Sequence, residues 1–253
     1  MNEPDVMVYL MTGFLDSGKS QFLKFTLTQD YFQIDGTTLL ILCEEGEEEF
    51  DPLEMAKHGV KIIKIEEQEE LTEAFLNELH EKYSPERVVI EYNGMWKVSD
   101  FEALSLPQGW EIEQKLTTVD ASTFQMYLNN LKPLFVEMVR GAELVLFNRC
   151  TDIEPLAGYR RSVKVVSPQA EVIFEDENGE IENIFGDDVP YDLNAPVIEI
   201  PREDYGIWYV DVMENPDRYK GKVIEFTAKV LKPKRISVQG ISSGTDGDDL
   251  LCG

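Results

Sequence analysis

Short apolar runs alternate with amphipathic stretches along this chain. The runs at 6–11, 38–42, 60–65, 88–90, 116–119 and 144–147 are rich in Val, Ile and Leu and read as strands. Between them the apolar positions return at helical spacing: Leu71, Phe75, Leu79 and Tyr83 within 69–83, and Phe124, Leu128, Leu131, Phe135 and Met138 within 122–140. Continuous apolar strands alternating with helices require a sheet covered on both faces. The expected fold is therefore α/β, a doubly wound, mostly parallel sheet with ligands at the carboxyl ends of its strands.

Further apolar segments follow at 163–168 and 171–174, then a turn at Asn178-Gly179. The segment 190–196, bounded by Pro190 and Pro196, has linker composition and ends a front domain over 1–190. Beyond it, 207–210 and 222–230 read as strands of a small β-rich module over 191–239. The Gly-, Ser- and Asp-rich stretch 240–253 reads as a disordered tail.

The first strand leads into Gly13-Phe14-Leu15-Asp16-Ser17-Gly18-Lys19-Ser20, which fits the phosphate-binding pattern GxxxxGK[ST]. A strand, a glycine-bounded loop and a helix start in this order present backbone N–H groups and a positive dipole end to phosphate oxygens. In such a P-loop NTPase, Lys19 reaches the β- and γ-phosphates and the Ser20 hydroxyl meets Mg²⁺. Asp16 adds a negative charge to an anion site, which a left-handed turn position tolerates if the carboxylate points away.

Composition narrows the partners. The formal charge is −26, and residues 1–190 carry 38 acidic and 15 basic side chains against 11 and 8 in residues 191–253. Such a front part repels nucleic acid and anionic membranes and favours cations or basic protein surfaces. Cys43, Cys150 and Cys252 form no CxxC pair, the start is acidic rather than signal-like, and no apolar run reaches the roughly 20 residues of a membrane span. A cytoplasmic protein is expected. His58 and His80 fall near helix ends and read as surface or capping residues.

Taken in order, the motifs resemble those of the CobW-like metallochaperone GTPases, over about residues 6 to 190. The family's GFLGSGKTT loop is matched by residues 13–21, with Asp16 and Gln21 as departures. Its NEFGE segment is matched loosely by Cys43-Glu44-Glu45-Gly46-Glu47, its ETSG by Glu91-Tyr92-Asn93-Gly94, its VVDA by Thr118-Val119-Asp120-Ala121, and its NKxD by Asn148-Arg149-Cys150-Thr151-Asp152. The resemblance implies GTP and Mg²⁺, with Gly13, Asp16, Ser17, Gly18, Lys19, Ser20 and Gln21 around the phosphates. It also implies that Asn148, Arg149 and Asp152 meet the base and that the Gly94 N–H meets the γ-phosphate. Thr151 stands where the family has its guanine-reading carboxylate, and Asp152 comes one residue late; unless a bulge restores that contact, discrimination between guanine and adenine falls.

Plainer readings stand beside these. Residues 44–49 read as a solvated acidic loop, Glu91 as a strand end, Gly94 as a turn, and Asp120 as a helix cap. The family's CxCC metal motif has no counterpart, since residues 58–68 contain no cysteine. A further divalent metal would fall to Cys43, Glu45 and Glu47, whose oxygen donors suit hard cations. The resemblance implies GTP hydrolysis, a metal-receiving or regulated partner protein and a nucleotide-dependent dimer. The alternatives are a nucleotide-dependent switch without metal cargo and a protein-binding scaffold. The segment 219–223 faintly resembles the strand start of small barrel domains.

Overall fold

The computed structural model describes residues 5–46, 50–151, 153, 156–181, 189, 191–202 and 204–227. Seven strands run parallel: β1 (Val6–Thr12), β2 (Thr38–Leu42), β3 (Val60–Lys64), β4 (Arg87–Glu91), β5 (Trp110–Asp120), β6 (Leu144–Asn148) and β7 (Glu171–Asp176). A two-residue strand β8 (Gly179–Glu180) turns back antiparallel on β7, and the order across the sheet is β3-β2-β4-β1-β5-β6-β7-β8. The connections run to one side of β1 before β4 and to the other side after it. This reversal opens a crevice at the carboxyl ends of β4, β1 and β5.

Period-two alternation explains why the central strands are apolar throughout. Val8, Leu10, Leu39, Ile41, Val88 and Ile90 face one core layer, while Met11, Leu40, Leu42 and Val89 face the other. Each such aliphatic side chain withdrawn from water contributes about 1.5–3 kcal/mol before entropy is counted. Helix α1 (Lys19–Leu27) covers the second layer with Leu23 and Leu27, and α2 (Pro52–Lys57) adds Met55. The other layer is covered by α3 (Glu73–Tyr83), α4 (Val98–Glu102), α5 (Phe124–Asn130), α6 (Lys132–Val139) and α7 (Leu156–Lys164).

The pattern over 122–140 resolves into two helices, α5 and α6, because Pro133 cannot continue a helix begun at Phe124. Strand β5 is longer than its apolar run, since Glu111 and Glu113 point to solvent in its first half. His58 is the C-cap of α2, and His80 accepts a hydrogen bond from the Trp110 indole through Nδ1 at 3.0 Å.

The reading of 207–210 as a strand is overturned. These residues lie in helix α8 (Tyr205–Glu214), which connects β9 (Val197–Ile200) to a parallel partner β10 (Val223–Phe226). Tyr205, Trp208 and Val212 recur at helical spacing and pack on Ile198 and Ile200, so burial decides against the strand propensity of Ile207-Trp208-Tyr209-Val210. The segment at 219–223 does not begin a barrel strand either: Tyr219 enters this small core and Val223 starts the two-stranded pair. Helix α8 approaches α7 so closely that a Cβ on Gly206 would lie 2.8 Å from Arg161 Cδ. The tail 240–253, with Cys252, lies outside the described residues.

Candidate functional site

Strand β1 ends at Thr12, and the chain must then reverse within six residues to start α1. Gly13 sits at φ 145°, with the place of a Cβ taken by Ser17 Oγ at 2.4 Å and the Thr118 carbonyl oxygen at 2.5 Å. Asp16 adopts φ 60°, the left-handed position expected for it, and is exposed. Gly18 at φ 90° is the N-cap of α1.

Neighbouring strand ends hold this loop. Ser17 Oγ lies 2.9 Å from Thr118 Oγ1, Asn148 Nδ2 donates to the Ser17 carbonyl at 2.8 Å, and Arg149 Nη1 donates to the Asp16 carbonyl at 2.7 Å. Arg149 also pairs with Asp120 at 2.6 Å. Burial of Asp120 opposes its ionisation, but hydrogen bonds from the Ser122 hydroxyl and from Arg149 outweigh it and hold the carboxyl below its usual range. Asp120 thus bonds Ser122 in a local turn at 2.8 Å and anchors Arg149; the N-cap of α5 is Thr123.

Inside the loop Lys19, only 3% exposed, donates from Nζ to the carbonyls of Gly13 at 2.9 Å and Phe14 at 3.0 Å and meets Glu44 Oε2 at 2.5 Å. The other Glu44 oxygen accepts a long hydrogen bond from the Gly94 N–H at 3.4 Å. Gly94 must be glycine here, because a Cβ would lie 2.5 Å from the Gly13 carbonyl oxygen. The reading of 44–49 as a solvated loop is therefore corrected at its first residue: Glu44 is drawn in by the Lys19 ammonium. Glu45 is exposed, and Glu47 lies outside the described residues.

Ser20 Oγ donates to Glu91 Oε1 at 2.6 Å, and the second oxygen, Glu91 Oε2, is buried with no partner among the described residues. Burial raises the Glu91 pKa, although the Ser20 hydroxyl and Lys19 oppose the shift. A serine hydroxyl beside a carboxylate with an orphaned oxygen is a hard-oxygen donor set that fits Mg²⁺. Gln21, in the first turn of α1, stands beside it. The space bounded by Asp16, Lys19, Ser20, Glu44 and Glu91 measures about 110 Å³. A larger cavity of about 680 Å³ adjoins it past Gly18 and is lined by Phe22, Phe25, Asn148 and Arg149.

Gly13, Asp16, Ser17, Gly18, Lys19, Ser20, Gln21, Gly94, Asn148 and Arg149 thus meet at one edge of the sheet, while Asp152 lies outside the described residues. Glu44, Glu91 and Thr118, matched above only as members of longer motifs, join them; each is a polar residue at or just past the end of an apolar strand, and that position is the signal for them in the sequence. Cys43 is buried at the end of β2, and burial beside Glu91 and Glu44 raises its thiol pKa strongly. The Cys150 thiol, also buried, is pushed up to about 11. No three His, Cys, Asp or Glu side chains gather into a metal-holding group among the described residues. No helix among them is long and apolar enough to cross a membrane.

Residues 7–174 match the model of the CobW/HypB/UreG nucleotide-binding domain. The zinc-bound YjiA GTPase from E. coli is similar in fold at 21% identity and a TM-score of 0.52, over 72% of this chain and 60% of that one. HypB, a hydrogenase maturation factor from Archaeoglobus fulgidus, aligns at 16% identity and a TM-score of 0.49, over 69% of this chain and 83% of its own. The chain matches none of the curated proteins.

Proposed function

This chain belongs to the CobW/HypB/UreG family of nucleotide-binding domains, and from that premise we propose that it binds and hydrolyses GTP with Mg²⁺. The observation that carries the proposal is Lys19, a buried cation held in a glycine-bounded loop by two carbonyls and the carboxylate of Glu44. A buried ammonium needs a countercharge. Glu44 supplies it, and a triphosphate is a ligand whose charge would replace that carboxylate at both Lys19 and the Gly94 N–H.

Catalysis is then electrostatic. Lys19, the Gly94 N–H and the loop amides would stabilise charge developing on the γ-phosphoryl group as a water attacks its phosphorus and GDP departs. Ser20 and Glu91 would hold Mg²⁺, which supplies further charge neutralisation on the phosphates when bound. Release of Glu44 from Lys19 couples the nucleotide to the loop that follows β2, a switch between two arrangements.

A metal-delivering role rests on the family alone. The missing CxCC motif and the protonated, buried Cys43 favour a second reading, a GTP-dependent switch acting on a partner protein without soft-metal cargo. Nucleotide-dependent dimerisation and a cytoplasmic location belong to the same proposal. The division at about residue 190 does too, supported by the separate small core around Tyr191, Ile198 and Tyr219. Single-turnover phosphate release from GTP tests hydrolysis: the wild type should release phosphate with Mg²⁺ and Lys19→Ala should not, and equal rates would remove the assignment.

A further inference from the structure

The cavity beyond Gly18 is lined by three carboxylates outside the base-binding motif, Glu175, Asp176 and Glu177, of which Glu177 is exposed and Glu175 half-buried. Strand β7 pairs with β6 in the register Phe147↔Phe174, which sets Glu175 beside Asn148. Phe174 is buried and stacks on Phe147 with centroids 4.9 Å apart, so alternation along the strand turns Glu175 to the opposite face of the sheet. Leu146 and Asn148 share that face, and all three side chains line the 680 Å³ cavity. The Cys150 N–H donates to the Glu175 carbonyl at 3.0 Å and fixes the position of its backbone.

Three features of the cavity suit a nucleobase. Its volume lies in the range of small-molecule sites. Phe22 and Phe25 line it from α1, and Phe25 is 61% exposed, so its ring is available for stacking. Asn148 Nδ2 donates one of its two hydrogens to the Ser17 carbonyl, while Asn148 Oδ1 is a buried acceptor with no donor among the described residues. Such an atom calls for a ligand N–H group.

We propose that Glu175 reads the base, accepting from the N1–H and the N2 amino group of guanine in place of the carboxylate that Thr151 replaces. This rests on the nucleotide-binding reading given above. Guanine presents two adjacent donors on that edge, whereas adenine presents an unprotonated N1 that a carboxylate repels; an ionised carboxylate only accepts. The neighbouring Asp176 is already engaged, since its Oδ1 accepts from the Asn178 N–H at 2.7 Å. Glu175 is half-buried between Asn148 and that turn, close enough to the cavity wall to face a base edge.

Calorimetric titration of the full chain with GTP, XTP and ATP in Mg²⁺ tests the assignment. Xanthine carries a carbonyl where guanine carries its N2 amino group, so it needs a donor there. Wild type should prefer GTP to both others. Glu175→Gln should lower GTP affinity at least tenfold and raise XTP affinity, a gain that a damaged fold cannot produce. Glu171→Gln, exposed at the far end of β7, should change neither. An unchanged ratio of GTP to XTP in Glu175→Gln overturns the proposal while leaving nucleotide binding intact; failure of wild type to bind any of the three overturns both.

Discussion

Lys19 and Glu44 stand 2.5 Å apart inside the loop between β1 and α1, and the same carboxylate reaches the Gly94 N–H. A protein side chain thus lies between the two donors that the proposed γ-phosphate would use. On that proposal nucleotide displaces it, and part of the binding energy is used to break an ion pair. Glu44→Gln, which keeps the shape and removes the charge, should tighten GTP binding about tenfold, or about 1.4 kcal/mol. Titration of the variant checks this, and unchanged affinity would mean that Glu44 leaves the site at no cost.

Glu91, the proposed Mg²⁺ ligand, also makes stability depend on pH. Its carboxyl pKa is raised by burial, so between the unfolded and folded values the folded protein holds the extra proton. Stability without ligand therefore falls as pH rises through that window. Glu91→Gln should raise the Tm of the nucleotide-free protein at neutral pH and abolish the Mg²⁺ dependence of GTP binding. Thermal melts from pH 4 to 8, with titrations at two Mg²⁺ concentrations, separate the two effects; a lower Tm together with intact Mg²⁺ dependence would contradict them.

Asp16 combines a left-handed backbone with a negative charge beside the space lined by Lys19 and Ser20. Asp16→Gly relieves backbone strain of about 1 kcal/mol and removes the repulsion. The variant should melt higher and bind GTP more tightly. Parallel melting curves and titrations read both effects, and an unchanged GTP affinity would show that the exposed Asp16 carboxylate does not repel the phosphates.

In the C-terminal unit Asp211 is fully buried and accepts from the Tyr219 hydroxyl, from Asn215 Nδ2 at 2.8 Å and from Arg218 at 3.4 Å. Asp211→Ala leaves three donors without their acceptor and should cost about 3–5 kcal/mol in this unit. GTP affinity should stay at the wild-type value, because the network lies outside the nucleotide site. Denaturant unfolding followed by Trp208 fluorescence reports the loss.

Metal binding outside the nucleotide site should be weak and carboxylate-dominated, lowered by Glu45→Gln or Glu47→Gln and insensitive to Cys43→Ser. The Cys43 thiol is buried and held protonated, which opposes metal ligation. Equilibrium dialysis with Zn²⁺ and Mn²⁺ decides it: tight stoichiometric zinc that vanished with Cys43→Ser would restore the metal-delivering reading.

The sheet was legible because strands buried on both faces write their apolar runs directly into the chain, and the loop was legible because Gly13 to Ser20 is a local pattern. Glu44 was not. Its ion pair joins residues 25 positions apart, and nothing in an acidic run says which carboxylate turns inward. Glu91 resembled a strand end because it is one, and its role follows from Ser20 arriving beside it from α1. Helix α8 misled because Ile207-Trp208-Tyr209-Val210 favours extended backbone locally, while the contacts of Trp208 and Val212 with Ile198 are long-range.

Lys19 carries the central claim, and calorimetric titration of GTP with Mg²⁺ into the wild type and Lys19→Ala tests it most directly. Wild type should bind near one GTP per chain, saturably and with Mg²⁺ dependence, and the variant should bind about a hundredfold more weakly, roughly the 2.7 kcal/mol that a charge-assisted contact supplies. Equal affinity in the two proteins, or no saturable binding by the wild type, would contradict it.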